Sequence, residues 1–370
     1  MQCIMDYLSV VETLDTRQQS KVLHKLTDII GISLFAMIAN ANDPEEIEVF
    51  CKAQESFLRE YFTLANGIPS HDTIERAFEM VSPEYLEGIQ RKFSELLNAG
   101  EGEKIRKILA IDGKTQCGNG TDTQKANHIV SCVDESGFCL GQELVDDKSN
   151  EITAIPVLLD NLNIKGHIIT TDAMGCQRDI VKKIKKKRAD YVLALKGNQG
   201  TLFDDVKLYF GDMEFLANCA YHKTVEKARG GIETREYWQT DEISWLAQKK
   251  DWAGIKTIAV TKNTIVKKGK TTIETRHFIS SLPLDVKEAA RAIRKHWMVE
   301  SYHWQLDVTF REDANHTRNK HISYNLNIMR KLALNLLKLL DAGKKHITLV
   351  KKRFMICCNP LKYFNQILCL

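Results

Sequence analysis

IRKILAID at residues 105–112 and HIITTD at residues 167–172 are two short apolar runs, and each ends at an aspartate. Both are too short for buried helices and are rich in isoleucine, so they predict buried strands. The segments around them read as a hairpin at 127–133 and 138–145, helices at 152–162 and 179–188, and a strand at 191–195. The order β-β-β-α-β-α-β predicts an α/β fold in which helices cover a mixed sheet.

Outward from this core, changes in sequence texture divide the chain into five parts. We predict an N-terminal helical domain at 1–100, the first part of the core at 101–201, a mostly β insertion at 202–275, the second part of the core at 276–340 and a C-terminal tail at 341–370. Asp43 is the expected N-cap of one N-terminal helix, and either Ser70 or Asp72 that of another. These helices could contain a helix-turn-helix that contacts DNA or could form a plain bundle, and the sequence leaves both open.

The composition is that of an ordinary globular protein, with 44% hydrophobic and 27% charged residues. No apolar run approaches the roughly 20 residues that span a bilayer, and the N-terminus lacks the pattern of a signal peptide. We therefore expect a cytoplasmic protein. The ten cysteines are scattered without a CxxC pair and are expected to be reduced thiols. The net charge of +4 is compatible with nucleic-acid binding and does not require it.

Three acidic residues stand where chemistry is expected. Asp112 and Asp172 follow the two strands, and functional groups of open α/β sheets gather at strand ends. Glu300 lies in the helical segment RAIRKHWMVESYHWQLDVTF. Read as one helix, this segment has an apolar stripe that faces the core, formed by Ile293, Trp297, Trp304 and Val308. A neighbouring polar stripe contains Glu300 with three possible accessory residues, His296, His303 and Asp307.

Acids brought together from separate elements suit the cleavage of phosphodiester bonds. That reaction needs stabilisation of an attacking and a leaving oxygen, which two Mg²⁺ ions can provide. Mg²⁺ prefers hard oxygen ligands and keeps several waters, so a few carboxylates suffice. We therefore expect Asp112, Asp172 and Glu300 to be both catalytic residues and metal ligands. The expected cofactor is Mg²⁺, and Mn²⁺ is expected to substitute for it.

Eight strings spread along the chain carry a family resemblance: NGIPSHDT, ILAIDGKT, KSNEITAIPVLL, TDAMGCQ, DYVLALKGNQ, GGIETREY, RHFISSL and HWMVESYHWQLDVTFRED. In content and order they resemble bacterial insertion-sequence transposases of the ISAs type, the group that includes the H-repeat-associated proteins. The resemblance implies an RNase H-like catalytic core, with an insertion before the helix that carries the last acid. It also gives Asp112, Asp172 and Glu300 the places of the DDE triad.

The same resemblance implies the activity and the partners. The protein is expected to cut double-stranded DNA at transposon ends and to join the 3′-OH to target DNA, acting as a homodimer on DNA and associated with the nucleoid when bound to it. Wider relatives often carry an arginine and a lysine around the last acid. This chain has His296 and Asp307 at those positions, which leaves the role of the neighbouring His303 open.

Basic residues suggest where DNA could run. Lys114, Lys148 and Lys196 each follow a motif near a predicted strand end, where lysine could neutralise phosphate charge. A second group lies on the basic helix, at Lys182, Lys183, Lys185 and Lys186, and could track the backbone. Ordinary solvated lysines are the alternative interpretation in both places.

Other functions fit parts of the same pattern. A nuclease of the same fold would cut without strand transfer, and a catalytically inactive relative would only bind DNA. A zinc-dependent hydrolase could use His296, Glu300 and His303 on one helix face. That last alternative leaves Asp112 and Asp172 without a role.

Overall fold

The structure is a computed structural model, and it describes residues 22–99, 106–228, 230–341 and 347–368, together with Asp15, Arg17, Gln18, Ser20 and Gly343. The boundary predicted between residues 100 and 101 lies outside the described residues. Within them, no helix is both long enough and apolar enough to cross a membrane. Every cysteine in this part of the chain is a free thiol.

Among the described residues, five α-helices precede the sheet. They are α1 (Leu26–Ile38), α2 (Pro44–Ala53), α3 (Glu55–Leu58), α4 (His71–Met80) and α5 (Pro83–Ala99). The predicted N-cap Asp43 is confirmed, since its side chain accepts a hydrogen bond from Glu46 N. Of the two alternatives for α4, Ser70 is the N-cap and its side chain accepts a hydrogen bond from Thr73 N, whereas Asp72 lies in the first turn. Helix α1 is buried along nearly its whole length, because later parts of the chain surround it.

The core strands follow in the predicted order. They are β1 (Ile108–Thr115), β2 (His128–Asp134), β3 (Cys139–Leu144), β4 (Ile168–Thr171) and β5 (Asp190–Leu195), with helices α6 (Glu151–Asn161) and α7 (Arg178–Lys186) between the last three. Strand β1 pairs antiparallel with β2 and parallel with β4, and β4 pairs parallel with β5. This mixed α/β arrangement confirms the predicted fold class and is consistent with an RNase H-like core.

The insertion extends the core sheet rather than standing apart from it. After α8 (Gly200–Gly211) and α9 (Met213–Ala217) come β6 (Ala220–Ala228), β7 (Gly231–Thr240), β8 (Thr257–Lys267) and β9 (Lys270–Ser280). Strand β9 pairs with β5 as well as β8, which gives one nine-stranded sheet in the order β3-β2-β1-β4-β5-β9-β8-β7-β6. The boundary predicted between residues 275 and 276 falls inside β9.

Different helices cover the two faces of the core sheet. Leu109 and Ile111 of β1 pack with α6 and α7, whereas Ala110 packs on the opposite face with the N-terminal helices and the later helices of the chain. Those later helices are α10 (Val286–Lys295), α11 (Trp297–Phe310), α12 (Lys320–Leu339), α13 (Leu349–Cys358) and α14 (Pro360–Leu368).

The C-terminal helices hold the N-terminal helices in place. Phe364 of α14 stacks on Phe35 of α1, with ring centroids 4.3 Å apart. The Arg353 side chain is fully buried and donates hydrogen bonds to the carbonyl oxygens of Met37 at 2.7 Å and Ala41 at 2.8 Å. Helices α1, α13 and α14 therefore share one core.

Candidate active site

Asp112 and Asp172 lie side by side at one edge of the sheet. Asp112 is in the last part of β1, and Asp172 directly follows β4. Because β1 and β4 are parallel neighbours, their carboxyl ends reach the same edge. Each aspartate offers an oxygen atom within 4.8 Å of the other and of an oxygen of Glu151. Among the described residues, these three form the cluster with the spacing of metal ligands.

The Asp172 carboxylate is held by the turn that follows it. Its Oδ1 accepts hydrogen bonds from Met174 N at 2.9 Å and from Gly175 N at 3.2 Å. Gly175 is required for this close turn, because a Cβ there would lie 2.6 Å from the Thr171 side chain. The turn fixes one oxygen of Asp172 and leaves the other available to the cluster.

Glu151 reaches the cluster from the first turn of α6. Asn150 caps that helix by accepting a hydrogen bond from Ile152 N. The Glu151 side chain then passes Gly113 of β1, where a Cβ would lie 2.2 Å from Glu151 Oε1. Glu151 Oε1 also lies 2.7 Å from His128 Nε2, and the opposite ring nitrogen lies 2.8 Å from Thr115 Oγ1. The missing side chain at Gly113 is thus the gap through which Glu151 meets Asp112.

Because the acids of the cluster lie close together, the negative charges of its other members disfavour ionisation of Asp112. Burial raises the pKa of Asp112 to about 7, and the charges of Glu151, Asp172 and Glu300 add to the effect. A bound cation would remove this repulsion. The donor set of three carboxylates also supplies the hard oxygen ligands that Mg²⁺ prefers, so these residues fit the cation that the chemistry calls for.

Glu300 lies nearby but outside the three-residue cluster. It is exposed on α11 and its charge contributes to the raised pKa of Asp112. The structure therefore brings together two of the three acids singled out from the sequence, adds Glu151, and leaves Glu300 on the adjacent helix face.

The orientation of α11 differs from the prediction. The stripe predicted to face the core was wrong at Trp297, Trp304 and Val308, whose side chains are 36%, 63% and 48% exposed, and only Ile293 is buried. The helical segment breaks at His296, between α10 and α11, so one continuous stripe cannot pass through it. The buried stripe of α11 is instead formed by Val299, Tyr302, Leu306 and Phe310.

The two histidines near Glu300 point in different directions. His303 is nine-tenths buried, and its Nδ1 lies 3.7 Å from Asp112 Oδ2, while its Nε2 has no hydrogen-bond partner. Burial lowers the pKa of His303 to about 3, which keeps the ring neutral. His296 instead lies 3.0 Å from Thr170 Oγ1 through its Nδ1. Among the described residues, His296, Glu300 and His303 do not form a cluster with metal-ligand spacing, so the zinc alternative gains no support.

Lys114 is enclosed by carboxylates. Its Nζ lies 2.8 Å from Asp307, 2.9 Å from Asp313 and 3.2 Å from Glu312, and its side chain is only 12% exposed. Burial opposes the charge of this lysine, but the acids outweigh it and hold its pKa above the usual value. This position does not favour a DNA contact for Lys114. It also shows Asp307 as an ion-pair partner that joins α11 to β1.

The remaining lysines divide into two groups. Lys148 and Lys196 are exposed and follow β3 and β5, whose carboxyl ends lie at the same sheet edge as the acid cluster. Lys182 and Lys186 are also exposed, but their helix leads away, to Arg188 beside Gly166 at the opposite edge. Three lysines of that helix are engaged in ion pairs: Lys182 with Asp179 at 3.2 Å on the surface, Lys183 with Asp160, and Lys185 with Asp190 at 2.7 Å.

Comparisons with known proteins identify the family of the chain. The model of the "Transposase DDE domain" family matches residues 103–336, and that of the "DDE_Tnp_1-associated" family matches residues 5–94. "Putative transposase YncI" of Escherichia coli O157:H7 is 40% identical over 348 residues, which cover 91% of this chain and 88% of that protein. "H repeat-associated putative transposase YhhI" of Escherichia coli K12 is 37% identical over 354 residues, 92% of each chain.

A shorter relative carries a different description. "Inactive transposase YbfQ" of Escherichia coli K12 is 44% identical over 73 residues, which cover 20% of this chain and 84% of that protein. The longer matches span both family regions and nearly the whole sequence. This chain belongs to the DDE transposase family and, within it, to the H-repeat-associated, ISAs-type group.

Proposed function

We propose that this protein is an active DNA transposase that cuts phosphodiester bonds at the ends of its own element and joins the freed 3′-OH to target DNA. The observation that carries the proposal is the meeting of Asp112 and Asp172 at one sheet edge, with Glu300 exposed on the adjacent helix α11. Two copies of the chain would handle the two ends. A purely DNA-binding relative would have no need of an acid cluster that raises the pKa of Asp112 to about 7.

The residues of the site have separable tasks in this proposal. Mg²⁺, when bound, polarises the phosphate and lowers the pKa of a coordinated water or 3′-OH. Asp112, in the second half of β1, and Asp172, directly after β4, would hold the cation. Glu300 faces the solvent, so its carboxylate would be accessible to the cation when DNA is bound. His303 is neutral and packs beside Asp112, where it fixes the position of that carboxylate.

The test is cleavage of DNA that carries the inverted repeats flanking the protein's own gene. We expect cutting at the repeat ends with Mg²⁺ or Mn²⁺, none with EDTA, and a loss of at least about 10²-fold for Glu300→Gln. Glu75→Gln, at an exposed position of α4, is the matched control. Cutting that needs Zn²⁺, or that Glu300→Gln leaves unchanged, would overturn the assignment.

We further propose that DNA enters past Lys148 and Lys196. Replacing both by methionine should weaken binding to end DNA about tenfold in 0.15 M salt and lower the slope of log affinity against log salt by about 2. The matched control is Lys182→Met with Lys186→Met, which removes two exposed charges at a greater distance from the acids. Fluorescence anisotropy over a series of salt concentrations measures both the affinity for end DNA and its dependence on salt. A larger effect of the control pair would place the DNA along α7 instead.

A further inference from the structure

We propose that Glu151 is a third protein ligand of the catalytic cation, and that the site formed by Asp112, Glu151 and Asp172 binds this cation before DNA arrives. The inference rests on the proposed function, because the cation is the one used for DNA cleavage. It assigns a role to a residue outside the DDE triad and places Glu300 outside the set that binds metal in the absence of DNA.

Glu151 lies close enough to both aspartates to share a cation with them. Its oxygen lies within 4.8 Å of oxygens of both aspartates, a spacing that one cation can bridge. Three carboxylates at this distance repel each other unless a positive charge lies between them. His128 contacts one oxygen of Glu151, and this leaves the other carboxylate oxygen free to coordinate.

The absence of a side chain at Gly113 allows Glu151 to approach Asp112. Glu151 comes from α6, which packs with Leu109 and Ile111 on one face of the sheet, whereas Asp112 is directed toward His303 on the other face. The two carboxylates meet only because residue 113 has no Cβ, which would lie 2.2 Å from Glu151 Oε1 and 2.6 Å from His128 Nε2. A glycine at this strand position lowers strand propensity and has no turn to support, since its φ is not positive. The close approach of Glu151 explains it.

His303 supplies an independent observation at the same place. Its ring is nine-tenths buried, lies 3.7 Å from Asp112 through Nδ1, and has no hydrogen-bond partner at Nε2. The nitrogen that faces the cluster is Nδ1, and 3.7 Å is too long for a hydrogen bond to Asp112, so a buried polar ring is directed at the acids without a direct partner among them. A water bound to the cation would give Nδ1 such a partner.

The experiment measures Mn²⁺ binding to the full chain without DNA, from the electron paramagnetic resonance signal of free Mn²⁺. We expect Glu151→Gln to weaken binding at least about tenfold and Gly113→Ala to weaken it about threefold or more, because the new methyl group displaces Glu151. Glu300→Gln and the control Glu75→Gln should stay within about twofold of the parent protein.

Thermal unfolding in EDTA separates a ligand from a structural residue. A ligand within a repulsive cluster leaves the metal-free protein at least as stable when it is neutralised, so Glu151→Gln should keep or raise the unfolding temperature while losing the rise caused by Mn²⁺. A large loss of stability in EDTA would instead assign Glu151 to its contact with His128. Unchanged Mn²⁺ affinity in Glu151→Gln and Gly113→Ala, or no Mn²⁺ binding by the parent protein, overturns the inference.

Failure of the proposed function gives a different result. If the parent protein binds Mn²⁺ through Glu151 yet never cuts its own end DNA, the transposase activity is wrong and the ligand assignment stands. If it cuts DNA while Glu151→Gln binds Mn²⁺ and cuts normally, only the ligand assignment is wrong.

Discussion

We expect Asp112→Asn to abolish DNA cleavage, by at least about 10³-fold, and at the same time to stabilise the metal-free protein. The loss of activity follows because Asp112 is the central acid of the cluster, close to both Glu151 and Asp172. An asparagine has the same shape but lacks the charge that holds a divalent cation. The gain in stability follows from the electrostatics of the empty cluster.

The size of that gain in stability depends on pH. The pKa of Asp112 is about 7 in the folded protein against an ordinary value of 3.8, because burial and the acids Glu151 and Asp172 disfavour the charged form. A raised carboxyl pKa destabilises the fold above pH 7 and costs nothing below pH 3.8. Asp112→Asn should therefore raise the free energy of unfolding at pH 8 by on the order of 2–4 kcal/mol, and change it little at pH 4.

Urea unfolding in EDTA at the two pH values checks this expectation, with cleavage of end DNA measured on the same preparations. Asp122→Asn is the matched control, since Asp122 is exposed and outside the cluster. In Mg²⁺ the parent protein should be more stable than Asp112→Asn, because the parent protein gains stability from the cation and Asp112→Asn does not. Equal stabilities at pH 8 in EDTA would show that the acids do not repel each other as the structure indicates.

The second large effect concerns stability alone. We expect Lys114→Met to destabilise the protein by about 3–5 kcal/mol, because it leaves Glu312 buried without its counter-ion. Burial by itself would raise the pKa of Glu312, but Lys114 and the nearby Arg330 and Lys331 lower it. The stability that this lowered pKa provides is present at neutral pH and is lost as the pH falls. The deficit of Lys114→Met should therefore be largest near pH 7.

Chemical denaturation at pH 7 and pH 4 measures the deficit, and Lys148→Met is the matched control. Lys148 is exposed, so that substitution should change the free energy of unfolding by less than about 0.5 kcal/mol. A Lys114→Met protein as stable as the control would mean that Lys114 is a surface residue available to DNA, as the sequence alone suggested.

The order of strands along the chain was predictable, because short apolar runs are typical of buried strands. The proximity of the two aspartates was predictable as well, because the carboxyl ends of parallel strands lie at one edge of the sheet. Glu151 was not singled out, since its position reads as the first turn of a helix after the Asn150 cap. The direction of β3 in the sheet explains the position of Glu151. Strand β3 runs in the same direction as β1, so the helix that follows β3 begins at the sheet edge where Asp112 and Asp172 lie. The same reasoning places Lys148 there.

The helix that carries Glu300 shows where periodicity is insufficient. Trp304 and Val308 are as hydrophobic as the residues that fill the core, so spacing alone cannot assign the inner face. The break at His296 changes the phase of the pattern, and only the tertiary contacts of Tyr302 and Leu306 reveal it. The ion pairs of Lys114 could not be predicted either, because its three acidic partners lie far along the chain.

The shared core of helices α1, α13 and α14 has a consequence for biosynthesis. Helix α1 leaves the ribosome early, yet the aromatic ring that stacks on Phe35 and the guanidinium that binds Met37 belong to Phe364 and Arg353. Until residues 353–364 have been translated, those surfaces of α1 have no native cover and depend on other contacts to avoid aggregation. A chain that stops before α13 would therefore leave this part of the shared core uncovered.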